Sequence, residues 1–314
     1  MPYNTPQEII INSKLKLSGT LTFPTNRIDR VPAILFIHGS GKVDRDENTP
    51  KLQSNIFKDL SNEMVKLGFA TLRYDKRGCG KSEGVYEETG FWDLVDDAEN
   101  ALILLRNQEQ IDPNKIILLG HSEGCSIAPA VSERLGVQGM ILISGFRGNV
   151  FDSTNYQTEN VISEISKLKG IRGLLLRLIA SPKKIIKQNI KLNDIIMNSN
   201  KPVITIRGQK INAKWYREHK LYNVDSSLAN IKCPLLAVVG SKDVQVRPIH
   251  TKMMGDIVKC PFGYHIINEM NHMLRNQIDP ITMLDLKKIY LAEINDPIEP
   301  KLINILQKWL AEFI

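Results

Sequence analysis

A serine, an aspartate and a histidine occur in an order that could support nucleophilic catalysis. Ser122 is the centre of GHSEG, a G-x-S-x-G pattern. A serine hydroxyl is a weak nucleophile unless a histidine accepts its proton and a carboxylate orients that histidine. Asp243 lies in VVGSKDVQV and His272 in INEMNHML. The three residues follow the chain order serine, acid, histidine that accompanies this pattern, and we predict that they form a catalytic triad.

The stretch IILLGHSEG, residues 116–124, predicts a buried strand that turns directly into a helix. On such a turn the hydroxyl of Ser122 is pushed into the open, and small residues at Gly120 and Gly124 let strand and helix come close. The unpaired N–H groups of the helix N-terminus favour developing negative charge. The alternative is a glycine-rich turn with a serine that only caps the helix.

Other histidines and acids compete for the two partner roles. His250 falls in a helical pattern and His265 in a strand pattern, so both are less free than His272 to reach the serine. Asp256 and Glu269 are the alternative acids. They are less favoured because Asp243 lies just beyond the end of a predicted strand, where ligands bind in open parallel sheets.

The same chemistry needs an oxyanion hole built from two backbone N–H groups. The first is the N–H of Glu123, directly after the serine. The second comes from FIHGSGKVDRDEN, where we predict Ser40 as the donor and Gly41 as its alternative. One such donor contributes about 10² to 10³ in rate. We expect His38 to be a structural histidine.

The elements that must position these residues alternate between strand and helix, which predicts an α/β protein with a mainly parallel sheet and helices on both faces. Predicted strands cover 8–12, 16–23, 33–38, 69–74, 116–119, 140–144, 234–240 and 263–268. Predicted helices cover 52–67, 91–105, a segment from residue 122, 161–168, 171–179, 185–196, 249–257 and 302–313.

The alternation stops between residues 147 and 230, where helical patterns dominate and strand candidates are few. This segment has 15 Lys and Arg against 6 Asp and Glu, whereas the rest of the chain has 26 against 28. We predict a core of residues 1–146 and 231–314 with a helical, basic insertion at 147–230. Because aromatic residues are not regularly interleaved with the basic ones, a solvated helical face is favoured over a nucleic-acid surface.

The run GCGKS within YDKRGCGKSEG resembles the end of a phosphate-binding loop. The full pattern requires a glycine five residues before Gly80, but Asp75 stands there, and GVYEETG delays the next helix. A carboxylate at that point would repel phosphate. We therefore interpret this stretch as a turn after a strand, with Asp75 and Arg77 free to hold neighbouring loops.

The composition predicts an ordinary soluble globular protein, with 42% hydrophobic and 24% charged residues among 314. The amino-terminal residues lack the features of a secretion signal, and no apolar run reaches the roughly 18 residues of a membrane span. The four cysteines form no CxxC pair, so neither a zinc site nor a disulfide framework is indicated. We expect a cytoplasmic protein without a metal or organic cofactor.

Taken together, these motifs resemble the α/β-hydrolase superfamily, and especially bacterial serine hydrolases of the dienelactone-hydrolase and carboxylesterase type. The resemblance rests on HGSG, DKRGCGKS, GHSEG, DVQV and NHM, and covers about residues 8–145 and 231–314. It implies an eight-stranded, mainly parallel sheet, with the triad at the positions of Ser122, Asp243 and His272. The resemblance does not extend to the insertion, although many members carry a helical cap at this place.

The favoured hypothesis is a hydrolase of carboxylic esters that acts through an acyl-enzyme on a small-molecule substrate. A thioester hydrolase is the alternative, in which basic residues such as Lys183, Lys184 and Lys187 meet an anionic group. A peptidase is less favoured because we expect no large amino-terminal domain to gate peptides, and dehalogenases and epoxide hydrolases have an aspartate in place of Ser122. A non-catalytic binding protein is disfavoured because all three triad residues are present. The oligomeric state stays open between monomer and dimer.

Overall fold

A computed structural model describes residues 6–25, 29–179 and 181–314 of the chain. The first half contains β1 (Gln7–Asn12), β2 (Lys16–Thr22), β3 (Val31–Ile37), α1 (Ile56–Lys66), β4 (Ala70–Tyr74), α2 (Phe91–Arg106), β5 (Ile111–His121), α3 (Gly124–Leu135) and β6 (Gly139–Ile143). The second half contains α4 (Val150–Lys167), α5 (Gly170–Ile179), α6 (Pro182–Met197), β7 (Val203–Ile206), β8 (Gln209–Asn212), α7 (Ala213–Leu221), α8 (Val224–Leu228), β9 (Leu235–Gly240), α9 (Pro248–Met253), β10 (Phe262–Ile267), α10 (Leu286–Ala292) and α11 (Pro300–Leu310).

Eight of these strands form one twisted sheet in the order β1-β2-β4-β3-β5-β6-β9-β10. Strand β2 pairs antiparallel with both of its neighbours, and every other pairing in this sheet is parallel. The prediction of a mainly parallel α/β sheet is confirmed, and each of the eight predicted strands is present. Because parallel strands end at a common edge, the loops after β3, β4, β5, β9 and β10 meet there.

Helices cover both faces of the sheet, as predicted. One core packs α2 and α3 against the sheet through apolar side chains, including Phe91, Leu102 and Val131. The opposite core packs α1 and α11 against the other face, and includes Phe57 and Leu306. With both faces covered, the central strands are continuously buried, which explains their uninterrupted apolar runs.

Two helices begin later than predicted. Helix α1 starts at Ile56 instead of Leu52, because Leu52 pairs with Thr49 in an isolated bridge before the helix. The helix after the GHSEG turn starts at Gly124 instead of Ser122, because Ser122 lies in the left-handed region. A residue with that backbone conformation cannot belong to a right-handed helix.

Between residues 147 and 230 the described residues form α4 to α8 and a separate two-stranded sheet of β7 and β8. The hairpin was missed in the sequence. Its turn consists of Arg207 and Gly208, both with positive φ (51° and 78°), and such two-residue turns suit antiparallel strands. The signal was VITI-RG-QKIN, two short strands around a glycine. The division of the chain at 147 and 230 stays a prediction.

Among the described residues, no helix is both long enough and apolar enough to traverse a bilayer.

Candidate active site

Ser122 lies on a tight turn between β5 and α3. Its φ is 52°, a left-handed conformation that is rare for a residue with a side chain and indicates local strain. Gly120 and Gly124 make the turn possible: a Cβ at Gly120 would lie 2.5 Å from the carbonyl oxygen of Gly124, and a Cβ at Gly124 would overlap the carbonyl oxygen of Ile37. The side chain of Ser122 is only half-buried, so its hydroxyl is accessible.

Asp243 and His272 form a hydrogen-bonded pair at the edge where β9 and β10 end. The Oδ2 atom of Asp243 lies 2.7 Å from Nδ1 of His272, and both residues are buried. The other oxygen, Oδ1, accepts from the backbone N–H groups of Gln245 (2.9 Å) and Val246 (3.0 Å). Burial alone would raise the pKa of Asp243, but His272 and these hydrogen bonds hold it below its ordinary value. Asp243 is therefore an ionised acceptor that fixes the orientation of the imidazole.

His272 and Ser122 lie at the same edge, but within the described part of the chain the Ser122 hydroxyl makes no hydrogen bond to the imidazole. The two loops are connected through the neighbouring residue, since Nε2 of His121 lies 3.0 Å from the carbonyl oxygen of His272. Catalytic hydrogen bonds of ligand-free sites are often long and tighten when substrate binds. The arrangement brings the three predicted residues to one place without closing the serine–histidine bond.

The buried carboxylate of Glu47 joins the turn at His121 to the loop after β3. Glu47 Oε2 lies 2.8 Å from Nδ1 of His121, and its Oε1 accepts the N–H of Gly39 at 2.6 Å. Both ring nitrogens of His121 thus face acceptors, which only the doubly protonated imidazole can satisfy. Burial opposes that charge, yet Glu47 and the carbonyl of His272 raise the pKa of His121 above its ordinary value.

The loop after β3 lies directly against the candidate nucleophile. A Cβ at Gly39 would be 3.2 Å from Cβ of Ser122. Among the described residues, neither the N–H of Ser40 nor that of Glu123 donates to a protein acceptor. Both N–H groups are therefore available for an oxyanion, and the choice of Ser40 over Gly41 as the second donor stays a prediction.

The competing residues lie in unsuitable places. His250 is on α9 and its Nδ1 accepts the N–H of Arg147 at 3.2 Å, while His265 is an exposed residue inside β10. The side chain of Asp256 is 74% exposed, and Glu269 is a half-buried residue of a turn. No hydrogen bond joins these acids to His272 in the described portion of the chain.

The stretch DKRG after β4 connects three neighbouring segments. Asp75 accepts two hydrogen bonds from the Arg45 guanidinium (3.0 and 2.9 Å), which belongs to the DRD stretch of the loop after β3. Arg77 donates two hydrogen bonds of 2.6 Å to Asp97 on α2. The prediction that these residues hold neighbouring loops is thus confirmed for Asp75, whereas Arg77 holds helix α2.

Glu123, the residue after the candidate nucleophile, joins the segment 147–230 to the turn. Its buried carboxylate accepts from Nε1 of Trp215 (2.5 Å), pairs with Nε2 of His219 (2.7 Å) on α7 and pairs with Lys76 (3.0 Å). Burial would raise the pKa of Glu123, but Lys76 and His219 hold it far below its ordinary value. Glu123 is thus a charged acceptor buried beside Ser122.

Sequence reasoning missed the roles of Lys76, Glu47, His121 and the Glu123 side chain. One feature of the sequence could have indicated them: charged residues occur in the turns that follow apolar strands, as in HGSGKVDRDEN, YDKRG and GHSEG. That signal marks polar residues close to the site without identifying their partners.

A cavity of about 660 Å³ opens between α1 and residues 294–303, away from this edge. Its lining includes none of the three predicted triad residues.

In the ranges that the structure describes, no group of three or more His, Cys, Asp or Glu side chains is arranged to hold a metal ion.

The chain is similar in sequence to a known protein family and to several characterised and uncharacterised proteins. Residues 51–279 match the model of the family described as serine aminopeptidase, S33. Esterase EstD of Thermotoga maritima is 30% identical over 138 residues, which are 44% of this chain and 32% of EstD. An uncharacterised 31.7 kDa protein of Escherichia coli is 24% identical over 265 residues, 79% of this chain and 86% of that protein. The chain spans less than half the length of the first curated relatives that it matches.

Solved structures share the fold. Est1E from Butyrivibrio proteoclasticus, with ferulic acid bound, superposes with a TM-score of 0.60 at 18% identity, covering 91% of this chain and 99% of that chain. The Pyrococcus furiosus esterase Pf2001 superposes with a TM-score of 0.61 at 15% identity, covering 99% of this chain and 92% of that chain. The family match extends over more than half of the chain and the fold agrees with it. The chain therefore belongs to the serine aminopeptidase S33 family, within the α/β-hydrolase superfamily.

Proposed function

We propose that this protein is a serine hydrolase of carboxylic esters. The observation that carries the proposal is the buried Asp243–His272 pair, whose Nδ1–Oδ2 distance is 2.7 Å, at the same sheet edge as the strained, accessible Ser122. A histidine base oriented by a carboxylate, together with an accessible serine hydroxyl, is the set of groups that acyl transfer requires. The similarity to esterase EstD supports the ester preference.

In the proposed mechanism, Ser122 Oγ attacks the acyl carbon while His272 Nε2 accepts the hydroxyl proton. Asp243 holds the opposite ring nitrogen and stabilises the imidazolium. The N–H groups of Ser40 and Glu123 stabilise the oxyanion of the tetrahedral intermediate. The intermediate collapses to an acyl-enzyme as the imidazolium protonates the leaving alcohol, and a water activated by the same imidazole then releases the acid.

We also propose that residues 147–230 form a cap over this edge. Three contacts support it, each between this segment and a site loop. Asn160 Nδ2 donates to the carbonyl of Val244 (3.1 Å) and Gln157 Nε2 to that of Gln245 (3.0 Å), both in the loop that carries Asp243. Trp215 reaches Glu123 from α7. The cap therefore borders both the nucleophile turn and the acid loop.

Two other leaving groups merit a direct comparison. The family description names an aminopeptidase, so an amide substrate is the first alternative. A thioester is the second, because Lys183, Lys184 and Lys187 are exposed on the basic segment and could meet an anionic group. Matched substrates with one acyl chain and an oxygen, sulfur or nitrogen leaving atom distinguish the three classes.

The test combines active-site labelling with turnover. We expect a fluorophosphonate to label the wild type and not Ser122→Ala, and we expect kcat for p-nitrophenyl esters to fall by about 10⁴-fold or more in that variant. Ser226→Ala, at an exposed serine of α8, is the control and should label normally. Equal labelling of Ser122→Ala and wild type would reject the proposed nucleophile. A series of p-nitrophenyl esters of increasing length then measures the acyl pocket, and an acyl p-nitroanilide and an acyl-CoA test the alternatives.

A further inference from the structure

Lys76 is a fully buried lysine in the turn after β4, with 1% of its side chain exposed. Its Nζ atom donates to the carbonyl oxygen of Gly39 at 2.5 Å and to Oε2 of Glu123 at 3.0 Å. A buried charge is costly unless it is paired and hydrogen bonded. One ammonium group thus bridges the loop after β3 and the turn that carries the candidate nucleophile.

The first of these contacts acts on a peptide group with a proposed catalytic role. The carbonyl of Gly39 and the N–H of Ser40 belong to the same planar peptide unit, in which the two bonds point in opposite directions. Holding the carbonyl therefore sets the direction of the N–H. On the other side of Gly39, its own N–H is held by Glu47 at 2.6 Å, so the loop is restrained at both ends of this residue.

The second contact acts on the residue that supplies the other proposed donor. Glu123 follows Ser122, and its carboxylate is held by Lys76, Trp215 and His219. Restraining this side chain restrains the backbone at the start of α3, where the Glu123 N–H lies. Lys76 therefore binds the peptide unit of one proposed oxyanion donor and the side chain of the residue that supplies the other.

We propose that Lys76 is the positioning residue of the oxyanion hole, orienting the Ser40 peptide through the Gly39 carbonyl while it holds Glu123 beside it. This inference rests on the proposed function, because it assigns a role within that reaction. Because Lys76 is fully buried, we assign it no contact with substrate. Preorganised donors stabilise charge that develops only in the transition state, so its loss should lower kcat and leave KM nearly unchanged.

The principal variant is Lys76→Met combined with Glu123→Gln. Lys76→Met alone removes the ammonium partner of the buried Glu123 carboxylate, which is strongly destabilising, whereas the double variant removes both charges and separates folding from catalysis. We expect the double variant to lower kcat for a p-nitrophenyl ester by about 10²-fold, with KM changed by less than threefold. Its affinity for a trifluoromethyl ketone, which forms a tetrahedral adduct with the serine, should fall by the same factor. Lys81→Met, at an exposed lysine of the same turn, is the control.

A second variant separates orientation from charge compensation. Lys76→Arg keeps a positive charge beside Glu123 but cannot place a single ammonium between the two oxygens. Reduced kcat in this variant supports positioning, whereas wild-type kcat in either Lys76→Arg or a folded double variant overturns it. Ser122→Ala is measured in parallel: full activity there rejects the proposed function, while inactivity of Ser122→Ala with normal activity of the Lys76 variants rejects only the role of Lys76.

Discussion

At the scale of single residues, the geometry of Asp243 determines the state of His272. Both carboxylate oxygens are occupied, one by the imidazole and one by two backbone N–H groups. The lowered pKa of Asp243, against which burial acts and which His272 and the hydrogen bonds maintain, keeps it ionised at neutral pH. An ionised acceptor requires a proton on Nδ1 of His272. That tautomer leaves Nε2 free to accept the proton of Ser122.

Asp243→Asn tests this assignment with little change in volume. The amide can donate to Nδ1 and so stabilise the wrong tautomer, and we expect kcat for an ester substrate to fall by about 10⁴-fold at neutral pH. The measurement is kcat and kcat/KM across pH 5 to 9, with folding checked by circular dichroism. Asp256→Asn and Glu269→Gln, the alternative acids of the sequence, should keep wild-type activity. If Asp243→Asn were active and Asp256→Asn or Glu269→Gln were inactive, the role of the acid would belong to Asp256 or Glu269 instead.

At the scale of elements, the close approach of β5, α3 and β3 creates the turn at Ser122. The hydroxyl can be exposed on a left-handed residue only because Gly120 and Gly124 leave no side chain between strand and helix. The same closeness brings Gly39 against Ser122. A change in this packing must therefore affect the nucleophile and the loop after β3 together.

Gly124→Ala is expected to disrupt both, because the new methyl group would overlap the backbone oxygen of Ile37, which cannot move without shifting β3. We expect a loss of about 1 to 3 kcal/mol in the free energy of unfolding, and a larger loss of activity than stability explains. Gly263→Ala in β10 is the matched control, since its methyl group meets only a Leu236 side-chain carbon at 3.6 Å. Urea unfolding and ester turnover of both variants check the prediction. Equal behaviour of the two variants would contradict it.

The same elements explain how much of the site was predictable. The location of Ser122, Asp243 and His272 at one edge could be predicted, because each lies in the turn or loop after a strand and parallel strands end at a common edge. Their catalytic roles stay a prediction. The pairing of Glu47 with His121 joins residues 74 positions apart, and that of Glu123 with His219 joins residues 96 apart. Such contacts depend on the packing of loops and helices and leave no periodic pattern. The hairpin of β7 and β8 was missed for a similar reason, because four-residue strands are too short to show alternation.

At the scale of the whole molecule, buried carboxylates join loops that are distant in sequence. Glu47, Asp75, Glu123 and Asp243 each accept hydrogen bonds from a different segment of the chain. For all four, burial opposes ionisation, while cationic partners and hydrogen bonds hold the pKa below the ordinary value. The stability of the sheet edge that carries Ser122 and His272 is therefore coupled to the ionisation of these groups.

This coupling predicts the direction of acid sensitivity. A carboxylate whose pKa is lower in the folded state binds fewer protons there than in the unfolded chain. Its stabilisation is complete above the ordinary pKa of about 4 and is lost as the pH falls through the folded value. We expect the free energy of unfolding, from urea titrations between pH 7 and pH 3.5, to decline below about pH 5. Each such group contributes up to about 1.4 kcal/mol per pH unit.

Glu47→Gln isolates one of these contributions, because it keeps the size of the side chain but cannot ionise. The variant should be less stable than wild type at pH 7. A neutral amide has one acceptor oxygen, so it cannot accept hydrogen bonds from both the Gly39 N–H and protonated His121 as the carboxylate does. Its stability should also decline less steeply below pH 5, so the difference from wild type narrows as acid is added. Glu109→Gln, at an exposed position, should retain the wild-type slope. If the free energy of unfolding of Glu47→Gln declined with acid as steeply as that of the wild type, ionised Glu47 would not be among the groups that stabilise the edge carrying Ser122 and His272.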